Sequence, residues 1–577
     1  MAVLARELVD AELREVEVLV DFRLPFTSTR ADAVLAGVHP ETGRDSYVLI
    51  ELKSWTQAKP SDLGEHLVEA ENVTDPPPLN PIEQVRGYCT YMREFIEVLA
   101  EAPGHLSGVA YLYNALDRDV EGIKTTADEG GPIQLFTGQR REDLWRFLRE
   151  RLADAPGAAA ADRLLNSSVR PNRHLVELAS EEIREREQVT LLDEQLVARD
   201  LAICAVENAG GPGAKEVVVV TGATGSGKSL IALSLLGELH SRGHNVRHAT
   251  GSLSFTQTMR RGPGRGSTRI KNLFTYFNSF IDAEHDQLDV LICDEAHRIR
   301  ETSTNRFTPA AKRTGRSQLD ELMSAARVPI FLLDENQVVR PGERVNAARI
   351  DTLAESKGYR VRHVRLKQQF RSGGSEAYVS WVRRLLGLDP GGPVPWIGDP
   401  DFEVQLAESP WDLERYLKGK RTGTARIMTG LCWPWSDPRR DNTLVDDVVI
   451  GDWARPWHAK NDRAVGDAPP SMMWATDPRG FGQIGVVYTA QGFDFDWSGV
   501  ILGPDLGVRE GRLVTNREKN MDPAYRTTPA HDFDRLVRNV YSVLLTRGIR
   551  GTVIYAVDPD VQKLLTTLMP EGARFTR

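Results

Sequence analysis

The chain has 577 residues, of which 41% are apolar and 27% charged. That composition excludes a disordered or fibrous protein, and the length allows about three to four domains. Lys and Arg number 72 against 81 Asp and Glu, a net charge of −9, which excludes nucleic-acid binding through overall basicity but not through local patches, because local charge sets the field at a groove. The cysteines, Cys89, Cys204, Cys293 and Cys432, form no Cys-x-x-Cys, which argues against a zinc ribbon, an iron–sulfur cluster and a secreted disulfide framework. The N-terminal MAVLARELVDAELREVE mixes acids with apolar residues and does not read as a signal peptide. No run approaches the length needed to span a bilayer. A reduced, cytoplasmic protein without a membrane partner is expected.

Arg30-Ala31-Asp32 opens an apolar run predicted as a strand. Tyr47-Val-Leu-Ile-Glu51-Leu52-Lys53 is predicted as another, in which the alternation of a strand places Glu51 and Lys53 on one side. Gln84 and Tyr88 lie four apart, on one face of the helical stretch PIEQVRGYCTYMREF. Two carboxylates on adjacent strands, Asp32 and Glu51, can share a divalent metal. Lys53 beside them can orient or help deprotonate water, while the metal offsets charge on a phosphorane. This set resembles the PD-(D/E)XK nuclease superfamily over residues 15–115, with Asp32 as the first acid, Glu51-x-Lys53 as the second half and Gln84-x-x-x-Tyr88 as the trailing helix motif of RecB-type members. The resemblance implies Mg²⁺ (or Mn²⁺) held by Asp32 and Glu51, and a further acid on the first helix, for which Glu12 and Glu15 are both candidates.

The segment Asp154-Ala-Pro-Gly-Ala-Ala-Ala-Ala-Asp162 carries a Pro-Gly breaker and reads as a linker, followed by a charged helical stretch at 174–189. From about residue 190, apolar β-rich runs alternate with helical stretches: EVVVVTG, NVRHAT, LDVLICDE, VPIFLLDE and VRHVRL. Such alternation implies a parallel sheet covered by helices. Gly222-Ala-Thr224-Gly225-Ser226-Gly227-Lys228-Ser229 fits G-x-x-x-x-G-K-[ST] between a strand and a helix. Its glycines let backbone N–H groups turn toward phosphate at a helix N-terminus. Lys228 is expected to reach the β- and γ-phosphates of ATP, and Ser229 to hold Mg²⁺. Asp294-Glu295 ends the buried run LDVLICDE. Asp294 is expected at the Mg²⁺, and Glu295 to orient the attacking water.

Gln337 follows the run VPIFLLDE, where an amide can sense the γ-phosphate. Arg371 and Arg547 each follow an apolar segment and are candidate finger residues. Thr489-Ala-Gln491-Gly492 follows IGVVY, read as a strand. The ordered set resembles the superfamily 1 helicases over residues 190–557. Gln195 matches the adenine-reading glutamine, Gly222–Ser229 motif I, Asp294–Glu295 motif II, Gln337 motif III, Arg371 motif IV, Thr489–Gly492 motif V and Arg547 motif VI. LCWPW, YTAQGFDFDW and VLLTRGIRGT resemble the branch shared by bacterial nuclease–helicase proteins and the C-terminal half of Schlafen proteins, with Asp494 standing where many relatives carry Glu. The resemblance implies two RecA-like lobes with ATP between them and a single strand across them. Basic clusters at Arg260–Lys271 and Arg360–Lys367 supply cations for such a track. Trp433, Trp435, Trp453, Trp457 and Trp474 either stack on bases or fill a core.

The whole order resembles the single-protein nuclease–helicase immunity (Nhi) proteins of bacteria. The expectation is an α/β chain with a nuclease domain at 1–153, a linker helix at 154–190, a first RecA-like lobe at 191–390 and a second, with a Trp-rich insertion, at 391–577. The implied activity is ATP-dependent translocation and Mg²⁺-dependent cleavage of DNA in anti-phage defence. RNA as substrate, an oligomeric state, a repair or recombination role, and an ATP-gated sensor with an inactive nuclease fold all stay open.

Overall fold

A computed structural model describes residues 1–71, 76–123, 131–170, 175–180, 182–183, 189–209, 215–304, 308–368, 372–400, 402–420 and 423–573. The chain forms two compact units: Met1–Arg173 with Gln188–Asn208 and His363–Gln368, and His174–Glu187 with Ala209–Arg362 and Gln369–Arg577.

The first unit is built on a five-stranded sheet in the order β1-β2-β3-β4-β5. These strands are Glu17–Arg23, Arg30–Val38, Asp45–Lys53, Leu106–Leu112 and Ile133–Thr137. β1, β2 and β3 pair antiparallel, and β3, β4 and β5 parallel. Alternation sends Ala33, Leu35, Val48, Ile50, Val109 and Tyr111 to one face, where helices Ala2–Asp10 and Arg141–Arg149 cover them. The other face receives helix Pro81–Phe95. Asn80 caps that helix by accepting from Ile82 N–H, and Pro81 opens it with a pre-set φ. Gly108 permits the approach: a Cβ there would lie 2.3 Å from Val85 and 3.0 Å from the Cys89 sulfur.

The stretch expected as a linker belongs to this unit. Its small residues serve close packing, not flexibility. A Cβ on Gly157 would sit 2.2 Å from the Ala36 carbonyl, and Tyr47 donates to the Ala160 carbonyl at 3.0 Å from helix Ala158–Leu165. Glu12 and Glu15 are exposed and lie beyond the first helix, which ends at Asp10. The buried acid of that helix is Glu7, bonded by Arg141 (3.0 Å), Trp145 (2.8 Å) and Tyr111 (3.0 Å).

The second unit holds two α/β lobes. In the first, a sheet runs β8-β7-β9-β10-β6, and the edge strand β11 begins in this unit at Arg360–Arg362, its remaining residues being counted with the first unit. The strands are β6 Glu216–Gly222, β7 Val246–Thr250, β8 Phe274–Tyr276, β9 Leu288–Asp294, β10 Ala326–Leu333 and β11 Arg360–Leu366. The pairs β7/β8, β7/β9, β9/β10 and β10/β6 are parallel. Apolar runs such as VVVV are buried along their length because helices cover both faces of a parallel sheet. The second lobe has a sheet in the order β12-β16-β15-β13-β14, all parallel: Glu403–Leu406, Gly548–Ala556, Phe495–Leu502, Ala425–Thr429 and Ile484–Gly485.

Some boundaries differ from expectation. Helix Glu376–Leu385 packs Tyr378, Trp381, Val382 and Leu385 into the second lobe's core, so that lobe begins before residue 391. IGVVYTA is a two-residue strand followed by a short helix, Val487–Ala490, because the chain turns at Val486 to present the residues after it. Of the tryptophans of 433–474, three are core and not a stacking track, while Trp433 and Trp435 are partly exposed. Trp453, Trp457 and Trp474 are fully buried. Trp433 and Trp435 pack on Trp457 with ring centroids at 6.3 and 5.6 Å. All four cysteines are buried: Cys89 and Cys204 in the first unit, Cys293 and Cys432 in the two lobes of the second. Among the described residues no helix is long and apolar enough to cross a membrane.

Overpacking at a closed contact costs about 1–3 kcal/mol. Gly108→Ala is therefore expected to destabilise the first unit by that amount, read as a lower midpoint in thermal unfolding of the full chain.

Candidate functional site

In the second unit the P-loop follows β6, Asp294-Glu295 follows β9, and Asp334–Gln337 follows β10. β10 lies between β6 and β9, so all three emerge at the carboxyl edge of neighbouring strands, where open α/β sheets bind ligands. Gly225 and Gly227 both have φ of +84°, a conformation that glycine adopts without penalty. Lys228 is buried and donates to the carbonyls of Gly222 (2.8 Å) and Ala223 (2.9 Å), while Ser229 is the second residue of helix Lys228–Ser241. Thr224 donates to Asp334 Oδ2 at 3.0 Å, and Gln337 Nε2 to the same oxygen at 2.9 Å, so the loop and the expected sensor amide share one carboxylate.

Asp294 Oδ1 accepts from Glu295 N–H at 2.9 Å. Glu295 holds a left-handed φ of +56°, a strain of roughly 1–3 kcal/mol kept at functional sites. Its Oε2 lies 3.0 Å from His297 Nε2. Asp334 N–H donates to His297 Nδ1 at 3.3 Å and so orients the ring beside Glu295. Burial alone would push the Glu295 carboxyl up. The His297 ring, with Lys228 and Arg298 behind it, outweighs burial and holds the carboxyl below its usual range. An ionised carboxylate suits the orienting of water.

The second lobe completes the site. The buried Gln491 amide donates to the Gln337 carbonyl at 3.2 Å and lies 3.2 Å from His297 Nε2. Gly492 beside it has φ of +95°. Arg547 is 0% exposed; it donates to the Val543 carbonyl at 2.9 Å and to Gln337 Oε1 at 3.3 Å. Glu295, Gln337, Gln491 and Arg547 thus meet in one buried polar chain across the two lobes. Sequence reasoning missed His297, which joins Glu295 to Gln491; its place two residues after Glu295 was the available signal. It also missed His458, whose Nδ1–H donates to the Ala459 carbonyl (2.8 Å), leaving Nε2 to accept from Thr489 at 3.0 Å. Burial pushes the His458 ring down to about 4, so it stays neutral and braces the segment before Gln491. Arg371 lies outside the described residues. Gln195 is buried in the first unit, where its Oε1 accepts from Leu192 N–H at 3.2 Å.

The first unit brings together its own predicted residues. Asp32, Glu51 and Lys53 lie on the sheet face that packs against helix Pro81–Phe95, opposite Glu7. Asp32 Oδ2 accepts from Leu52 N–H at 2.7 Å, and Lys53 donates to Glu51 Oε1 at 2.8 Å. Among the described residues, Glu51 Oε2 is buried with no hydrogen-bond partner. Burial pushes the Glu51 carboxyl up to about 7; Lys53 pulls it back, while Asp32 and Asp193 push it further. An orphaned oxygen in a two-carboxylate site fits a hard, oxygen-bound divalent cation. Gln84 Nε2 donates to Tyr88 Oη at 2.8 Å, and both reach Asp193, a residue that sequence reasoning did not single out.

A strand–loop–helix phosphate cradle with acids at the next strand ends, closed by a second α/β lobe, defines a P-loop nucleotide-binding protein of helicase type. The family model described as Schlafen group 3, DNA/RNA helicase domain, matches residues 215–558, and the chain belongs to that family. A curated relative, the uncharacterized protein YPL245W of Saccharomyces cerevisiae, is 24% identical over 403 residues, covering 60% of this chain and 83% of that protein. Similar solved structures include the Pif1 helicase from Candida albicans, with a TM-score of 0.23 and 15% identity over 40% of this chain. The replication initiator DnaA bound to AMPPCP and single-stranded DNA gives 0.18 and 16% over 33%. The matches span 55% and 52% of those two structures, and likenesses this slight bear no weight.

Two outcomes follow from these geometries. Glu295→Gln keeps the shape but not the charge, and is expected to lower ATP turnover about 10²-fold or more while nucleotide affinity holds, measured as phosphate release against binding of a fluorescent ATP analogue. At the N-terminal site, Glu51 must ionise to take a cation. Mg²⁺ affinity is therefore expected to fall about tenfold per pH unit below about 7, in calorimetric titrations with Glu51→Ala as blank. Without metal the sign on stability is also set. Between the ordinary 4.5 and about 7 the folded state binds the extra proton, so stability falls as pH rises through that window.

Proposed function

We propose that this chain is an ATP-driven motor on nucleic acid, joined to a metal-dependent nuclease and directed against phage DNA. The observation that carries the motor is the buried chain from Glu295 through His297, Gln491 and Gln337 to Arg547. Such a chain makes the fit of the two lobes depend on what occupies the phosphate cradle. Ser229 and Asp294 would hold Mg²⁺, which neutralises phosphate charge when bound. Lys228 holds the β- and γ-phosphates, Glu295 orients water, and Arg547 stabilises the transferring charge. Exposed Arg261, Arg269 and Lys271 supply backbone-directed cations for a strand.

The nuclease reading is supported by Asp32, Glu51 and Lys53 sharing one sheet face beside Gln84 and Tyr88. Asp32 and Glu51 would hold Mg²⁺ or Mn²⁺, and Lys53 would orient the attacking water. The phage-directed role is supported by the order of the two parts in one chain. One observation favours a second reading, an ATP-gated sensor that does not cut: Lys53 is bonded to Glu51 rather than turned to an open site.

The test uses the full chain with labelled single- and double-stranded DNA and RNA, with and without ATP and Mg²⁺. Strand-stimulated ATPase is expected in the wild type and lost in Lys228→Ala. Cleavage is expected to vanish in Glu51→Ala with ATPase intact. Equal ATP turnover with and without strand would sink the motor. Metal-dependent cleavage that survives Glu51→Ala would remove that site from the reaction, and no cleavage at all would leave the sensor.

A further inference from the structure

Asp193 is a tightly held carboxylate of the first unit. It sits at a left-handed φ of +43°, immediately before helix Glu194–Asn208. Asp tolerates that conformation better than most side chains, and it lasts only where surrounding contacts hold it. The contacts here are three donors. Oδ1 accepts from Tyr88 Oη at 2.8 Å and from Gln84 Nε2 at 3.0 Å, and Oδ2 accepts from the Gln368 side-chain amide. Gln84 and Tyr88 form the helix pair expected to serve the N-terminal site. Lys53 attracts the Asp193 charge, and Asp193 adds to the negative field at Glu51.

Two amides and a phenol converging on one anion, with an ammonium nearby, make a donor set suited to a phosphodiester oxygen as much as to a carboxylate. The arrangement does not suit a third metal ligand. Both Asp193 oxygens are taken up by donors, and among the described residues no cluster of three His, Cys, Asp or Glu is placed to hold a metal. The carboxylate also comes from outside the N-terminal sheet: Asp193 lies 109 residues after Gln84, and Gln368 a further 175 on. An anion delivered by a separate segment can leave without unfolding the sheet.

We propose that Asp193 is a built-in phosphate mimic that occupies the substrate-binding donors of the N-terminal site and holds it closed to nucleic acid. This rests on the nuclease reading. The test measures Mg²⁺-dependent cleavage of a labelled single-stranded DNA oligonucleotide by the full chain without ATP. Wild type is compared with Asp193→Asn, Asp193→Ala and Glu51→Ala, with ATPase as the check on folding. Both Asp193 variants are expected to cut on the order of tenfold faster than wild type, a usual size for coupling between sites. Gln368→Ala, which removes one donor and no charge, is expected to act in the same direction and stands in if the Asp193 variants fail to fold. Unchanged or slower cleavage in these variants, with Glu51→Ala silent and ATPase intact, overturns the mimic and leaves the nuclease. Absence of cleavage in every protein, with Mn²⁺ as with Mg²⁺, overturns the nuclease reading and this inference together.

Discussion

A guanidinium with no exposure to water is the constraint on which the second unit rests. Burying a charge is expensive unless hydrogen bonds replace its hydration. Arg547 meets that demand with the Val543 carbonyl and with Gln337 Oε1, and the second of these belongs to the other lobe. Gln337 is in turn tied to Asp334, and Asp334 to the P-loop through Thr224. Satisfying one arginine therefore fixes the Gln337 amide, the loop and the lobe boundary together. Close by, Asn539 donates to the Val338 carbonyl at 2.8 Å and Tyr525 to that of Val339, so the strap after Gln337 is gripped by the second lobe along its length. A polar network of this kind is stable only when all of its members are in place. Any change at the phosphate cradle is felt as a loss of partners elsewhere in the chain.

The first unit applies the opposite logic. Its sheet is held by ordinary apolar packing on the face of Glu7, while the other face carries Asp32, Glu51 and Lys53 under a helix that comes close only because Gly108 has no side chain. The raised carboxyl of Glu51 shows that this face is not at its electrostatic minimum.

The sequence disclosed the parts that obey short-range rules. Every apolar run from Glu216 to Leu366 formed the strand its pattern predicted, and the P-loop could be read because its glycines are needed at fixed backbone angles. Gln84 and Tyr88 were legible because helical spacing alone puts them on one face. The tryptophans could not be assigned, since a buried indole and a base-stacking one have the same local pattern. Only the tertiary arrangement shows Trp453 donating to Glu414 at 2.9 Å inside a core. Asp193 was invisible for a related reason: its meaning comes from Tyr88 and Gln368, which are far from it in the chain. Small residues misled as well, because Pro-Gly-Ala at 156–158 reads as a linker but is a tight seam.

The placement of the four thiols has a consequence for handling the protein. Each is sealed inside a body, one or two per body, and burial pushes the Cys89 thiol up to about 12, where it is unreactive at neutral pH. The folded chain is thereby indifferent to mild oxidants and alkylating reagents. Each thiol becomes available only when its own body opens, so the chain carries an internal label for the order in which the N-terminal fold, the phosphate lobe and the Trp-packed lobe come apart.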